Sequence, residues 1–208
     1  SEHKGKFVNE GVEVMRTAIV KYNSGNVRSV KYAFDRLGAE TVLTDDPEIL
    51  TTSDRVVFPG VGEASTAMAY LRERELDNVI KALRQPVLAI CLGMQLLGRT
   101  SEESNTACLD VLPFAVRRLE GRGIKVPHMG WNTIHDLTSP IFEGIADSEQ
   151  LYFVHSYYVE NCAATIAKTF HGQTFSAAVR HANFYGLQFH PERSGPAGAR
   201  ILENFLNL

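Results

Sequence analysis

The stretch Pro86-Val87-Leu88-Ala89-Ile90-Cys91-Leu92-Gly93-Met94-Gln95 decides how the rest of the chain is read. Apolar, β-compatible residues after a proline suit a buried central strand, and Gly93 to Leu97 returns to helix-compatible residues. Cys91 falls on the sharp turn between them. A nucleophile elbow has this form: strand, one residue in a strained conformation, then helix, with small residues two places to either side so that strand and helix can approach. Ala89 and Gly93 are small. The competing reading is an ordinary buried cysteine that packs as a small hydrophobe.

The residues available as partners favour the elbow. Near the C-terminus, Tyr185-Gly186-Leu187-Gln188-Phe189-His190-Pro191-Glu192 reads as a strand ending in a histidine, with a carboxylate two places on. A thiol is mostly protonated near neutral pH and the thiolate is the nucleophile, so an imidazole must take the proton and an acceptor must hold the imidazole. Cys91, His190 and Glu192 are therefore candidate nucleophile, base and orienting residue. Everything then depends on the fold bringing them to one place.

On the N-terminal side of the elbow, Thr17 to Tyr22 reads as a strand and Asn23-Ser24-Gly25-Asn26 as a turn into Val27, Val30, Phe34 and Leu37, apolar at helical spacing. Gly38 ends that helix. Thr41 to Thr44 is a second strand closed by Asp45-Asp46-Pro47, and Arg55 to Phe58 is a third that runs into the loop Pro59-Gly60-Val61-Gly62. One long helix is expected from about Ala64 to Leu83. Strands alternating with helices predict an α/β fold with a doubly wound, mostly parallel sheet covered on both faces. Ligands bind such sheets at the carboxyl ends of the strands, so the P-G-V-G loop and the elbow should open at the same edge. The N–H of Leu92, with one from Val61 or Gly62, is then a candidate oxyanion donor.

On the C-terminal side, Arg99 to Asn105 reads as a solvated connection to which no chemistry is assigned. From Phe114 the pattern changes to short strands: Ala115 to Leu119, Trp131 to His135, Leu151 to Val154, Ser156 to Val159, Thr165 to Phe170, Phe175 to Val179 and Tyr185 to Phe189. They predict an antiparallel or mixed extension. Ser194-Gly195-Pro196 opens a last helix that carries Ile201, Leu202, Phe205 and Leu206 toward the core.

With 208 residues, 44% of them hydrophobic, the chain suits one domain over 15–208. Ser1 to Val14 is polar, mixed in charge and out of register with the first strand, and reads as a vector-derived extension ahead of a native start at Met15. A net charge of −3 without a long basic run leaves no electrostatic footprint for nucleic acid. No apolar stretch is long enough to span a bilayer and no secretory signal opens the chain. Cys91, Cys108 and Cys162 have neither metal-type spacing nor the even count of a disulfide framework. A cytoplasmic protein is expected, with no metal, cofactor, membrane or nucleic-acid partner.

The C-L-G-M-Q elbow, the Q-F-H-P-E string at Gln188 to Glu192 and the P-G-V-G loop resemble the triad-type (class I) glutamine amidotransferases, whose fold is flavodoxin-like. Within that family, Pro127-His128-Met129-Gly130-Trp131-Asn132 and Val154-His155-Ser156-Tyr157 are similar to the glutaminases of imidazole glycerol phosphate synthesis, in the histidine pathway. The likeness runs in order from about Arg16 to Leu208. It implies hydrolysis of L-glutamine through a cysteinyl thioester, without a cofactor. It also implies that Gly60, Gly62, Gln95, His155, Ser156 and Tyr157 hold the amino acid. Free ammonia would be protonated in bulk water, so a second active site must receive it, and the resemblance identifies this as a (β/α)8-barrel cyclase in a heterodimer. Asn26, Trp131 and Asn132 are interface candidates, although Trp131 could equally be core. His128, His135, His171 and His181 receive no catalytic assignment.

Two positions depart from the resembling pattern: Ala89 stands where the elbow usually has glycine, and Lys21 where an acidic residue is common. Two other readings stay open, a glutaminase serving a different synthase, such as a vitamin B6 or chorismate-linked one, and a non-catalytic binding module on the same fold.

Overall fold

Short apolar runs separated by turn residues fold as strands whose alternate side chains part to opposite faces. The computed structural model describes residues 8, 9 and 12–208; residues 1–7, 10 and 11 of the expected extension lie outside the described residues. Two short strands, β1 (Val8–Asn9) and β2 (Val12–Glu13), pair antiparallel. They precede β3 (Arg16–Val20), α1 (Val27–Arg36), β4 (Glu40–Thr44), α2 (Pro47–Thr52), β5 (Arg55–Phe58), α3 (Ala64–Glu73), α4 (Leu76–Lys81), β6 (Val87–Ile90) and α5 (Leu92–Leu96). Then come β7 (Thr100–Ser101), β8 (Thr106–Ala107), β9 (Ala115–Arg118), β10 (His128–Thr133), β11 (Gln150–His155) and β12 (Tyr157–Val159). The chain closes with β13 (Thr165–Phe170), β14 (Thr174–His181), β15 (Phe184–Leu187) and α6 (Gly195–Leu206).

The central sheet has the order β13-β14-β15-β6-β5-β3-β4. From β15 to β4 every pairing is parallel, while β13 and β14 add an antiparallel edge. This is the doubly wound α/β arrangement with an antiparallel extension that the sequence predicts. Alternation divides the core: Ala18, Val20, Val56, Phe58, Val87 and Ala89 face the layer of α2, α3 and α4. Ile19, Val57, Leu88 and Ile90 face α1 and α6, where they meet Phe34, Ile201 and Phe205. Two smaller sheets stand beside the main one, the β10–β11 hairpin and the sheet β12-β9-β7-β8.

Some expected elements differ. The single helix expected from Ala64 to Leu83 is two, because Glu75 turns left-handed at φ 57° between α3 and α4. The break keeps Leu71, Leu76 and Ile80 buried in one cluster, and a glutamate carries no turn signature that periodicity could detect. Asp45-Asp46-Pro47, expected only to close a strand, starts α2: Asp46 accepts from Glu48 N at 2.9 Å and Pro47 occupies the first helical position. The Arg99 to Asn105 connection holds β7 and a 3-10 turn, and Glu103 accepts from Ala64 N at 2.7 Å, tying that turn to the start of α3. The strand expected at Trp131 to His135 begins earlier, at His128. Among the described residues no helix is long and apolar enough to cross a membrane.

Candidate active site

Four loops meet at the carboxyl edge of the parallel strands: Lys21–Asn26 after β3, Pro59–Gly62 after β5, Cys91 after β6 and Gln188–Glu192 after β15. Cys91 adopts φ 53°, ψ −109°, a conformation that costs an L residue of order 1–3 kcal/mol and is held by its surroundings. Its N–H donates to Leu187 O at 2.7 Å, and Gln95 N returns to Cys91 O at 3.2 Å. Helix α5 leaves so close to β5 that a Cβ on Gly93 would lie 2.1 Å from Phe58 O. Ala89 fits on the other side, fully buried.

His190 reaches the same edge from β15. Its N–H donates to Tyr152 O at 2.9 Å, and Ser194 Oγ donates to His190 O at 2.6 Å while accepting from Tyr152 N at 2.9 Å. The ring donates from Nδ1 to Glu192 Oε1 at 2.6 Å, with both side chains 1% exposed. Among the described residues Nε2 has no hydrogen-bond partner. Burial works to lower the His190 pKa, but the Cys91 sulfur and the Glu192 carboxylate overcome it and raise it to about 10. The site thus favours an imidazolium at His190.

Asn26, at the left-handed start of α1, donates from Nδ2 to Glu192 Oε1 at 2.5 Å and lies 3.5 Å from His190 Nδ1. It therefore braces the imidazole–carboxylate pair, a position no local sequence signal reveals. Gln188 belongs to the Q-F-H-P-E string, which assigns it no role; its Nε2 is 3.7 Å from Cys91 Sγ, and its Oε1 accepts from Gln95 Nε2 at 3.0 Å. Gln95 also donates to Tyr157 O at 2.9 Å. His155 has both ring nitrogens engaged inside the protein, with His128 and with Tyr157 O. Ser156 supplies a carbonyl that accepts from Leu119 N at 2.9 Å.

Of the expected oxyanion donors, Leu92 and Val61 are occupied, and Gly62 N donates to no described residue. Leu92 N donates to Gly60 O at 3.1 Å, and Val61 N donates to Ser24 Oγ at 2.7 Å. Gly60 O and Val61 N belong to one peptide group. Ser24 Oγ also donates to Val61 O at 2.6 Å, and Tyr22 OH donates to Pro59 O at 2.5 Å, so the loop is clamped from β3. Gly62 has φ 116°, in the region that favours glycine. A Cβ on Gly60 would meet Tyr22 Oη at 2.1 Å.

Of the interface candidates, Trp131 is 55% exposed, with Met129 and Phe170 at 59% each. Its ring meets Tyr152 edge-on at 6.1 Å, beside the backbone that holds His190. Asn132 lies on the same hairpin and donates to Phe170 O at 2.8 Å. Among the described residues no cluster of histidines, cysteines or carboxylates is arranged to hold a metal ion.

Comparison with known proteins agrees with this geometry. The chain is 55% identical over 196 residues to "Imidazole glycerol phosphate synthase subunit HisH" of Bacteroides fragilis, covering 93% of this chain and all of that relative. The protein of the same name from Escherichia coli K12 is 47% identical over equal coverage. Among solved structures, PurLQS from Thermotoga maritima superposes with a TM-score of 0.70 at 17% identity, covering 93% of this chain and 98% of that one. A glutamine amidotransferase, also from Thermotoga maritima, gives 0.62 at 18% identity, covering 94% of this chain and 84% of that one. At such identities these two speak for the fold alone. The family model for class I glutamine amidotransferases matches residues 18–208, almost the whole of the described fold and every loop of the site, and the chain belongs to that family.

Proposed function

We propose that this chain is the glutaminase subunit of an imidazole glycerol phosphate synthase and that it passes ammonia to a (β/α)8-barrel cyclase. The observation that carries the reading is the meeting of the Cys91 elbow with the buried His190–Glu192 pair, 99 and more residues away in sequence. The names and high identities of the relatives support the choice of synthase.

Cys91 thiolate attacks the side-chain amide carbon of L-glutamine, and the carbonyl oxygen becomes an oxyanion. The C–N bond breaks as the His190 imidazolium gives its proton to nitrogen, releasing ammonia and leaving a glutamyl thioester. Water then attacks the thioester with His190 as base, and glutamate leaves with the thiolate restored. Glu192 holds the ring through Nδ1 so that Nε2 faces the sulfur. Gln95, Gly60, Gly62 and Tyr157 line the place for the amino acid.

In the conformation described, Leu92 N and Val61 N are both engaged within the protein. Rotation of the Gly60–Val61 peptide would withdraw the carbonyl from Leu92 N and turn Val61 N toward it, so one flip delivers both donors. A silent glutaminase that awakens with its partner is the result. The exposed Trp131, Met129 and Phe170 offer an apolar face for that partner next to the His190 segment.

The test is glutamate release by the chain alone, with the cyclase subunit, and with the cyclase and its nucleotide substrate. Release that rises sharply in the third mixture and vanishes in Cys91→Ala is expected. No release in any mixture refutes the reading, and equal release in all three removes the switch.

A further inference from the structure

His128 and His155 face each other across the β10–β11 hairpin, 4% and 7% exposed, and no chemical step above uses either ring. His128 Nδ1 lies 2.9 Å from His155 Nε2. At one end of the pair, Asn132 Nδ2 lies 3.0 Å from His128 Nε2; at the other, His155 Nδ1 lies 2.7 Å from Tyr157 O.

The ends fix every proton between them. Asn132 must present its NH2 group to His128, because that same group donates to Phe170 O at 2.8 Å while its Oδ1 accepts from Thr133 N at 2.8 Å. His128 Nε2 is therefore bare, and a neutral His128 carries its proton on Nδ1. It donates to His155 Nε2, which must also be bare, so His155 carries its proton on Nδ1 and donates to the Tyr157 carbonyl. A reversed link would set two lone pairs or two N–H groups against each other in a buried site. An imidazolium at His128 would aim a proton at the Asn132 amide. Burial, reinforced by His171, lowers the His128 pKa to about 4, and burial above all lowers that of His155 to about 3. The His128 ring is further held between Phe153 and His171, with centroids at 4.8 and 4.3 Å.

The Tyr157 carbonyl accepts from His155 on one side and from Gln95 Nε2, at 2.9 Å, on the other. Gln95 gives its second N–H to Gln188 Oε1 at 3.0 Å, and Gln188 Nε2 reaches Cys91 Sγ at 3.7 Å. We infer that His128 and His155 are positioning residues of the glutamine pocket: anchored by Asn132, their one-directional hydrogen-bond chain fixes the Tyr157 carbonyl, and with it the Gln95–Gln188 wall beside Cys91. The occupant of the pocket rests on the glutaminase reading; the proton arrangement does not. The chain also joins that wall to the exposed hairpin that carries Trp131, so a partner docked there would press on a rigid element.

Two measurements test it. Long-range 1H–15N spectra of the full chain, labelled at histidine nitrogen, should show His128 and His155 both neutral with the proton on Nδ1, the tautomer less favoured in free histidine. A proton on Nε2 of either ring overturns the inference. In steady-state glutamine hydrolysis by the chain with its liganded cyclase, His155→Phe keeps the ring but removes its donor and acceptor. It should raise KM for glutamine about five- to tenfold, with kcat falling about twofold or less. His155→Asn, which keeps a donor near the Nδ1 position, should recover most of that loss. An unchanged KM in a folded His155→Phe overturns the inference, as does an Asn variant no better than Phe at the same melting temperature. A wild-type complex that releases no glutamate refutes the glutaminase reading instead, while the spectra still decide the tautomers.

Discussion

Ser24→Ala should make the isolated chain a better glutaminase. Ser24 Oγ accepts from Val61 N at 2.7 Å and donates to Val61 O at 2.6 Å, holding the Gly60–Val61 peptide with its carbonyl toward Leu92. Only what is lost on flipping affects the balance, and that is the Val61 N–H bond. Its net value is about 1 kcal/mol, and leaving a partly buried N–H without an acceptor in the resting state costs about 1–3 kcal/mol. Taking about 1–2 kcal/mol for the shift, the flipped population and the partner-free rate rise about 5- to 30-fold. The fully activated complex gains little, since the flipped Val61 N–H no longer bonds position 24 in either protein. The assay is glutamate release by the chain alone and by the liganded complex, with circular dichroism to confirm folding. A folded Ser24→Ala whose partner-free rate is unchanged or lower refutes the latch, and with it the peptide flip.

Asn26→Ala removes the amide that braces Glu192 Oε1 and should lower kcat about tenfold with little change in KM, read by initial rates in the complex. Gly93→Ala places a Cβ 2.1 Å from the Phe58 carbonyl, where only backbone could yield, so a loss of at least about 2 kcal/mol in urea unfolding, or no folded protein, is expected. Trp131→Ala should weaken cyclase binding by about 2 kcal/mol while the melting temperature holds, measured by calorimetry. His155 also makes stability depend on pH. Unfolded, it takes a proton below 6.5, whereas folded it resists until about 3, so wild-type stability falls as pH drops through that window. His155→Phe lacks this liability, and its destabilisation at neutral pH should shrink by about 1.2 kcal/mol on going to about pH 5.5, read by urea titrations at both values.

What is legible in the sequence is whatever rests on local pattern. Apolar runs with period two mark the buried strands, and the small residues around Cys91 mark the elbow, because a strained turn between packed elements tolerates nothing larger. The residues that control the site escape such reading. Asn26 lies 166 positions from Glu192, and Ser24 is 37 from Val61; each looks like turn chemistry, and each is one. Ser24's second task exists only once β3 and β5 lie side by side, and Asn26's only once the segment after β15 reaches the same edge, so no window along the chain contains either.

The histidines show the same limit from the other side. Motif resemblance marks His155 and leaves His128 without a role, although the two are equivalent links of one chain. A histidine's role depends on which nitrogen holds the proton, and that is decided by the neighbours of both nitrogens. Here those neighbours are Asn132 at the exposed hairpin and the Tyr157 carbonyl at the glutamine pocket, on different strands and with opposite hydrogen-bonding demands. Neutral rings satisfy both demands, whereas a charged His128 would set its Nε2 proton against the Asn132 amide. A pair of titratable groups has thereby become a fixed strut, while His190, lifted by Cys91 and Glu192, keeps a proton to give. One fold thus uses the same side chain for rigidity and for chemistry, and the difference lies in what surrounds each ring.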